Sequence, residues 1–410
     1  MIEALVYLTL ALAVAVPAAW RTDGRYFTAA ASLALLVFSA LAGLPVGVLI
    51  AVTALALALD WRWGPFGVAL GFSAVAAVLA AYTYYASLSV VYSLAALALV
   101  TAAVYGLLAM GKTRENIEGA FKYLVFSGVG KVLIVTGYVA AALGWPQGMY
   151  LAVLGFMFEL GIAPFHSWVV DAYALGAPRG AAALTAFSKV TALFVLLTIF
   201  RQVKAAYDVG LVALVLALAS MLVANLAGLT AKTLGRVMAY SSVAHMSYAL
   251  AAVSLVWWLG DRPVNLFGVA RASDLAALVV VLEALATGVA KAGVFGYLTT
   301  KFSDLLPPRR SVFNAVNIFS LLGLPPLLGF WPKLFLVLLI LSLPLPQPTA
   351  AFLVSWVVVN SAMATPYYLR AVRMVTEAPG PVADNITSSY TAFASIALGL
   401  ALPLLVYLVY

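Results

Sequence analysis

From its first residues to its last, the chain is a succession of apolar runs about twenty residues long, separated only by short polar or Gly/Pro punctuation. A run of that length matches the hydrocarbon thickness of a bilayer when it is helical. In lipid every backbone N–H and C=O must be bonded internally, which leaves helices or closed barrels as spanning forms. The runs are continuous rather than alternating ten-residue segments, so the barrel is excluded. Only 9% of residues are charged, against roughly 25% in a soluble domain, and mean hydropathy is +1.10. The fold class is therefore an all-α polytopic membrane protein, with residues 1–410 forming one membrane domain.

Fourteen transmembrane helices are predicted, at roughly 2–20, 26–43, 44–59, 65–82, 86–110, 120–143, 148–169, 181–203, 208–229, 236–258, 272–301, 312–342, 349–372 and 388–410. The division between the second and third, through Gly43–Pro45, is the weakest. No soluble domain fits between any pair. The first run carries Glu3 where a secretory signal needs positive charge, and is read as a retained span.

Counting Lys and Arg by loop gives the orientation. Odd-numbered loops hold Arg21, Arg25, Arg62, Lys112, Arg114, Lys122, Arg179, Lys232, Arg236, Lys301, Arg309, Arg310, Arg370 and Arg373, while even-numbered loops hold only Arg201, Lys204, Arg262 and Arg271. Odd loops are expected on the cytoplasmic side of the cell membrane and both termini outside. The net charge of +8 thus reflects topology and anionic headgroups rather than nucleic acid.

Six charged residues fall inside the runs: Lys131, Glu159, Lys189, Glu283, Lys291 and Lys333. At about 2.5–3.5 kcal/mol each, they would cost roughly 15–20 kcal/mol if unpaired. Residues placed so expensively are candidates for an ion path, with static salt bridges between helices as the alternative. Glu283, Thr287 and Lys291, at i, i+4 and i+8, share a helix face and suggest a relay. His245, in AYSSVAHMSY, is either an interhelical histidine or a member of a water line.

Two of the runs are broken. Residues 151–190 carry Glu159, Pro164, His166 and Asp171, then a Gly/Pro/Arg turn leading to Lys189. Residues 321–335, LLGLPPLLGFWPKLF, hold Pro325, Pro326, Gly329 and Pro332 just before Lys333. Proline frees a backbone carbonyl and breaks a helix, which is tolerated in a membrane only where protein or water re-satisfies it. Two interrupted spans five spans apart point to inverted repeats with sites near the midplane. The repeats are expected at 65–203 (spans 4–8) and 208–372 (spans 9–13). His166 and Asp171, at the cytoplasmic end of span 7, either end a helix or admit protons.

Other signals are weaker. Gly128–Lys131 resembles the tail of a phosphate-binding loop, but Val125 replaces its first glycine. Asn385-Ile386-Thr387 is a glycosylation sequon on the cytoplasmic side, read as chance. With no cysteine and two histidines, iron–sulfur ligation is impossible and a bis-His haem improbable, so redox chemistry would belong to partners.

FELGIAPFHSWVVDAYALGAP with TAFSK, AKTLGRVMAYSSVAHMSY and GLPPLLGFWPKLF resemble, in order and separation, the antiporter-like membrane subunits of respiratory complex I. Membrane-bound hydrogenases and Mrp-type antiporters share them. The resemblance spans roughly residues 60–375 and is nearest to subunit N. It implies a proton-translocating subunit of an NADH, ferredoxin or F420:quinone oxidoreductase, moving H+ (or Na+) along a midplane line of charges. It also implies no cofactor in this subunit, with FMN, Fe–S clusters and quinone in partner subunits, among sibling antiporter-like membrane subunits. In the family pattern Lys189 takes the span 8 position, Lys291 the span 11 relay and Lys333 the span 12 position. Two positions depart: Glu159 stands where the pattern has a span 7 lysine, and the span 5 glutamate is missing, its slot falling near Leu97. Lys131 is an extra base. The expectation is a relocated gating pair, Glu159 with Lys131 or Lys189. An Mrp-type Na+/H+ antiporter, a membrane-bound hydrogenase subunit and a non-conducting structural subunit remain as alternatives.

Overall fold

The structure is a computed structural model that describes residues 1–19, 22–61, 64–111, 113–203, 206–266, 268–298 and 310–409. The expected loop charges Arg21, Arg62, Lys112, Lys204, Lys301 and Arg309 lie outside the described residues.

Helices form on every predicted run. In chain order they are α1 (Ile2–Ala19), α2 (Gly24–Leu41), α3 (Pro45–Leu59), α4 (Gly64–Tyr85), α5 (Val90–Ala109) and α6 (Arg114–Ala142). The first broken run follows as α7 (Met149–Leu160) and α8 (Ser167–Leu175). Next come α9 (Pro178–Ala183), α10 (Lys189–Gln202), α11 (Tyr207–Thr230), α12 (Leu234–Leu259) and α13 (Ala272–Gly296). The second broken run is α14 (Val312–Leu322) and α15 (Trp331–Ser342), followed by α16 (Gln347–Met363), α17 (Thr365–Thr376) and α18 (Ile386–Val409). Side-chain caps set several starts. Ser89, Thr113, Thr233 and Ser311 each accept from a backbone N–H of the turn they precede, satisfying donors the helix itself cannot.

Among the described residues, ten helices, counting α9–α10 and α16–α17 each as one continuous stretch, are long and apolar enough to cross a membrane. Four apolar segments are shorter: α1, α3, α14 and α15 with the turn before it. The chain is thus almost entirely helical, with one correction to the all-α expectation. Pro263–Leu266 and Val269–Arg271 pair as a small antiparallel hairpin between α12 and α13. In that connection, outside the apolar runs, the lipid constraint that enforces helix does not apply. The eighth run also starts earlier than expected, at Pro178, and Leu184–Ser188 forms a π-helical turn immediately before Lys189. No Pro or Gly announces it.

Burial sorts the helices. The windows of α9–α10, α12 and α13 are 94%, 89% and 89% buried, against 22% for α6 and 33% for α2. Helix α13 is the hub: it packs on α9, α10, α12, α14, α15 and α18. Two of the six in-run charges are on this hub, and their side chains are fully enclosed.

Candidate functional site: a row of buried charges between two helix breaks

Both breaks are built alike. Helix α7 ends on Gly161 in the left-handed conformation (φ 65°) and α14 ends on Gly323 (φ 89°). Only glycine adopts that conformation without a Cβ clash, and it closes the helix with its own N–H turned back on the last carbonyls. Three residues past each glycine stands a cis X–Pro bond, Ala163–Pro164 and Pro325–Pro326. The freed backbone groups are re-satisfied. Ala163 N–H donates to Ser220 Oγ (2.9 Å), Trp168 Nε1 to the Phe158 carbonyl (2.9 Å), and Gly329 N–H to Ser320 Oγ (3.2 Å).

A lysine then caps each half-helix. Lys189 Nζ donates to the Glu159 carbonyl at 3.0 Å and lies 4.3 Å above the Trp168 ring. Lys333 Nζ donates to the Leu322 and Leu321 carbonyls at 2.7 and 3.3 Å. The C-terminal end of a helix carries partial negative charge, so a cation held there is stabilised without a carboxylate. The two lysines, far apart in sequence, occupy the same electrostatic niche at opposite breaks.

Glu159 is 1% exposed and has a different partner for its side chain. Lys131 Nζ lies 3.2 Å from Glu159 Oε2; Ser127 Oγ donates to the same oxygen (2.6 Å) and itself accepts from Lys131. Close packing of α6 on α7 brings them together. A Cβ on Gly155 would sit 2.6 Å from the Gly130 carbonyl, so the backbones touch at small residues as membrane helices do. The base therefore lies one residue past this backbone contact. Of the two expected partners for the Glu159 carboxylate, Lys131 is the one in contact; Lys189 bonds its backbone instead.

On α13, Glu283 Oε2 lies 2.7 Å from His245 Nδ1, and His245 Nε2 lies 3.2 Å from the Tyr368 hydroxyl, which also meets Ser241 Oγ at 2.6 Å. Glu283 Oε1 and Lys291 Nζ have no hydrogen-bond partner. Thr287 turns its hydroxyl onto the Glu283 carbonyl (2.6 Å), so it does not bridge Glu283 to Lys291 as a three-residue relay would need. Lys291 instead sits within electrostatic reach of Glu283 and Lys189, and Lys333 within reach of Glu283 and His245. The row runs Lys131, Glu159, Lys189, Lys291, Glu283 with His245, and Lys333.

His166 stands apart. It precedes α8 inside the first break, half-buried, its ring 6.3 Å from that of Tyr240. Asp171 pairs with Lys122 at 2.6 Å, which also holds Glu118 at 2.6 Å, a surface cluster tying α8 to α6. Leu97, at the slot of the missing acid, is fully buried, and one turn on Thr101 Oγ1 comes within 3.4 Å of Ser127 Oγ. Sequence reasoning missed Tyr368, Ser241 and Ser127. A lone hydroxyl in an apolar helix carries no signal of what it faces. Among the described residues, no three His, Asp or Glu side chains converge to hold a metal.

A helical membrane bundle with two broken helices and charges between them defines the class as a polytopic membrane protein with ionisable groups in its interior. Residues 140–362 match the family described as NADH:quinone oxidoreductase/Mrp antiporter, TM, and the chain belongs to that family. It is 32% identical to NADH-quinone oxidoreductase subunit N of Chromohalobacter salexigens, over 77% of this chain and 70% of that one. It is 30% identical to subunit N 2 of Acidobacterium capsulatum, over 73% of this chain and 67% of the relative. The fold superimposes on a chain of respiratory complex I from Thermus thermophilus with a TM-score of 0.74, at 22% identity, covering 98% of both.

Proposed function

We propose that this chain is a subunit N-like, proton-translocating membrane subunit of a complex I-type oxidoreductase. The observation that carries the reading is the row itself: buried and half-buried charges of both signs, each within reach of the next, strung from one helix break to the other. In the proposed cycle, a change in a partner subunit opens or closes the Lys131–Glu159 pair. The altered field at the Glu159 end changes how readily Lys189 holds its proton. The proton then passes through Lys291 and the Glu283–His245 pair to Lys333 and leaves outward. The loosened backbone at Pro164 and at Pro325–Pro326 admits the water this requires.

Several finer features belong to the same proposal. The fourteen spans, with residues 65–203 and 208–372 as oppositely directed repeats, are supported by the matched Gly-x-x-Pro breaks at Gly161–Pro164 and Gly323–Pro326. The loop charges favour a cytoplasmic membrane with both termini outside. FMN, Fe–S clusters and quinone are assigned to partner subunits, with sibling antiporter-like subunits alongside. For the Fe–S clusters the absence of cysteine supports this, since such clusters need thiolates.

The test is proton release per electron by the assembled complex in sealed vesicles. Lys189→Ala and Lys333→Ala should each suppress pumping while the complex assembles. Intact pumping in both would reduce the chain to a scaffold. Flux that follows a Na+ gradient instead would reassign the ion.

A further inference from the structure

Three buried polar atoms without a hydrogen-bond partner, Asn314 Nδ2, Asn317 Oδ1 and Ser395 Oγ, lie on two packed helices, α14 and α18, outside the charged row. Helix α14 carries Asn314, Asn317 and Ser320 at intervals of three; α18 carries Thr391 and Ser395 one turn apart. All five side chains are 0% exposed. The two stripes meet, Asn317 Nδ2 donating to Asn314 Oδ1 at 3.0 Å and to Thr391 Oγ1 at 2.9 Å. A Cβ at Gly293 of α13 would collide with Thr391 Oγ1 and Asn317 Nδ2, so the cluster abuts the hub two residues past Lys291.

The cluster has two ends. At the surface, Ser311 Oγ donates to the Asp384 carboxylate and accepts from the Asn314 N–H at 3.1 Å. At depth, Ser320 is one turn beyond Asn317, and the adjoining Leu321 and Leu322 carbonyls hold Lys333. Hydrogen bonding between the helices uses Asn317 Nδ2, Asn314 Oδ1 and Thr391 Oγ1 but leaves the other three atoms unsatisfied. An orphaned buried polar atom costs about 1–3 kcal/mol, so three in one seam are expensive if dry. Polar interior sites of this kind are where buried water is found.

We propose that the α14–α18 seam is a hydrated inlet, separate from the Glu159 end of the row, joining the surface at Asp384 to Lys333. Water and the Ser and Thr hydroxyls pass the proton; the two asparagines, whose amides do not relay it, orient the water. By the loop charges Asp384 is on the cytoplasmic side, so the seam gives Lys333 a second proton supply beside the one that reaches it along the row. The inference rests on the row being a proton path, but the hydration of the seam can be read independently.

The chain has no cysteine, so an introduced one is unique within it. Ser395→Cys and, as a buried apolar control on the same helix, Ala392→Cys would be exposed to a small charged methanethiosulfonate in the assembled complex. The label is followed on this chain by mass spectrometry. A hydrated seam labels Ser395→Cys at least about tenfold faster, the thiolate deficit that a one-unit upward pKa shift imposes on a dry thiol. Equal, slow labelling of both overturns the conduit. Conduction is tested by Asn317→Leu and Thr391→Val, which should lower protons pumped per electron at unchanged assembly, with Thr391→Ser restoring the loss. Normal pumping by Asn317→Leu, beside loss in Lys333→Ala, would refute the inlet and leave the proposed function standing. Normal pumping by Lys333→Ala would remove both.

Discussion

Lys189 donates to the backbone carbonyl of Glu159 and not to its carboxylate, which is bound instead by Lys131. One residue thereby presents two different surfaces to two lysines. The carbonyl at the end of a broken helix holds Lys189, while the carboxylate is held by Lys131 and Ser127. In the proposed cycle, coupling between the ion pair and the row passes through this one residue.

That arrangement makes Lys131 as consequential as the acid. Lys131→Met leaves a 1% exposed carboxylate with only Ser127, and stranding one member of a buried pair costs about 3–5 kcal/mol unless it takes up a proton. Proton pumping in vesicles should fall as far as in Glu159→Gln. An unchanged rate would separate Lys131 from the path.

The His245–Glu283 bond is the second target. His245→Ala removes the partner of Glu283 Oε2 and one partner of the Tyr368 hydroxyl together. An orphaned buried group costs about 1–3 kcal/mol, so thermal unfolding of the complex should move down and pumping should drop. Tyr368→Phe, which keeps the ring and the Glu283 contact, should cost less on both measures. The reverse order would show that the hydroxyl, not the acid, holds this part of the row.

At the breaks, alanine tests the two glycines differently. Gly161→Ala forces a Cβ into Val169, while a Cβ at Gly323 would sit 2.9 Å from Lys333 Nζ. Each also incurs about 1–2 kcal/mol for a left-handed alanine. Gly161→Ala should chiefly lower stability. Gly323→Ala should displace the Lys333 ammonium and lower pumping out of proportion to any change in melting temperature.

A pH effect is expected at Asp60, just beyond the end of α3. Burial pushes its carboxyl up from the ordinary 3.8, against hydrogen bonds from Thr387 and the charge of Arg179. The folded chain holds this proton to higher pH than the unfolded chain does. This contribution to stability is therefore present at low pH and lost as pH rises from 3.8 through the raised value. Asp60→Asn, which keeps an acceptor for Thr387, should flatten that dependence in melts across the acidic range. An unaltered profile would place the titration elsewhere.

The helical character, the membrane class and the two breaks were legible in the chain itself, because continuous apolar runs of that length satisfy their backbone in lipid as helices and because proline within such a run removes a helical backbone bond. So were the expensive charges, each conspicuous against apolar neighbours. What the sequence could not assign were partners. Lys131 and Lys189 were equal candidates for Glu159, and only the close approach of α6 and α7 at Gly130 and Gly155 decided between them. The Glu283–Thr287–Lys291 spacing suggested a relay, yet Thr287 bonds its own helix, since a hydroxyl can satisfy itself locally at no cost in packing. Tyr368, Ser127 and the π turn before Lys189 left no trace in the pattern. Helix in a membrane is determined one residue at a time by backbone hydrogen bonding, whereas pairing depends on which face each helix turns to which neighbour, and that is fixed only when the whole bundle closes.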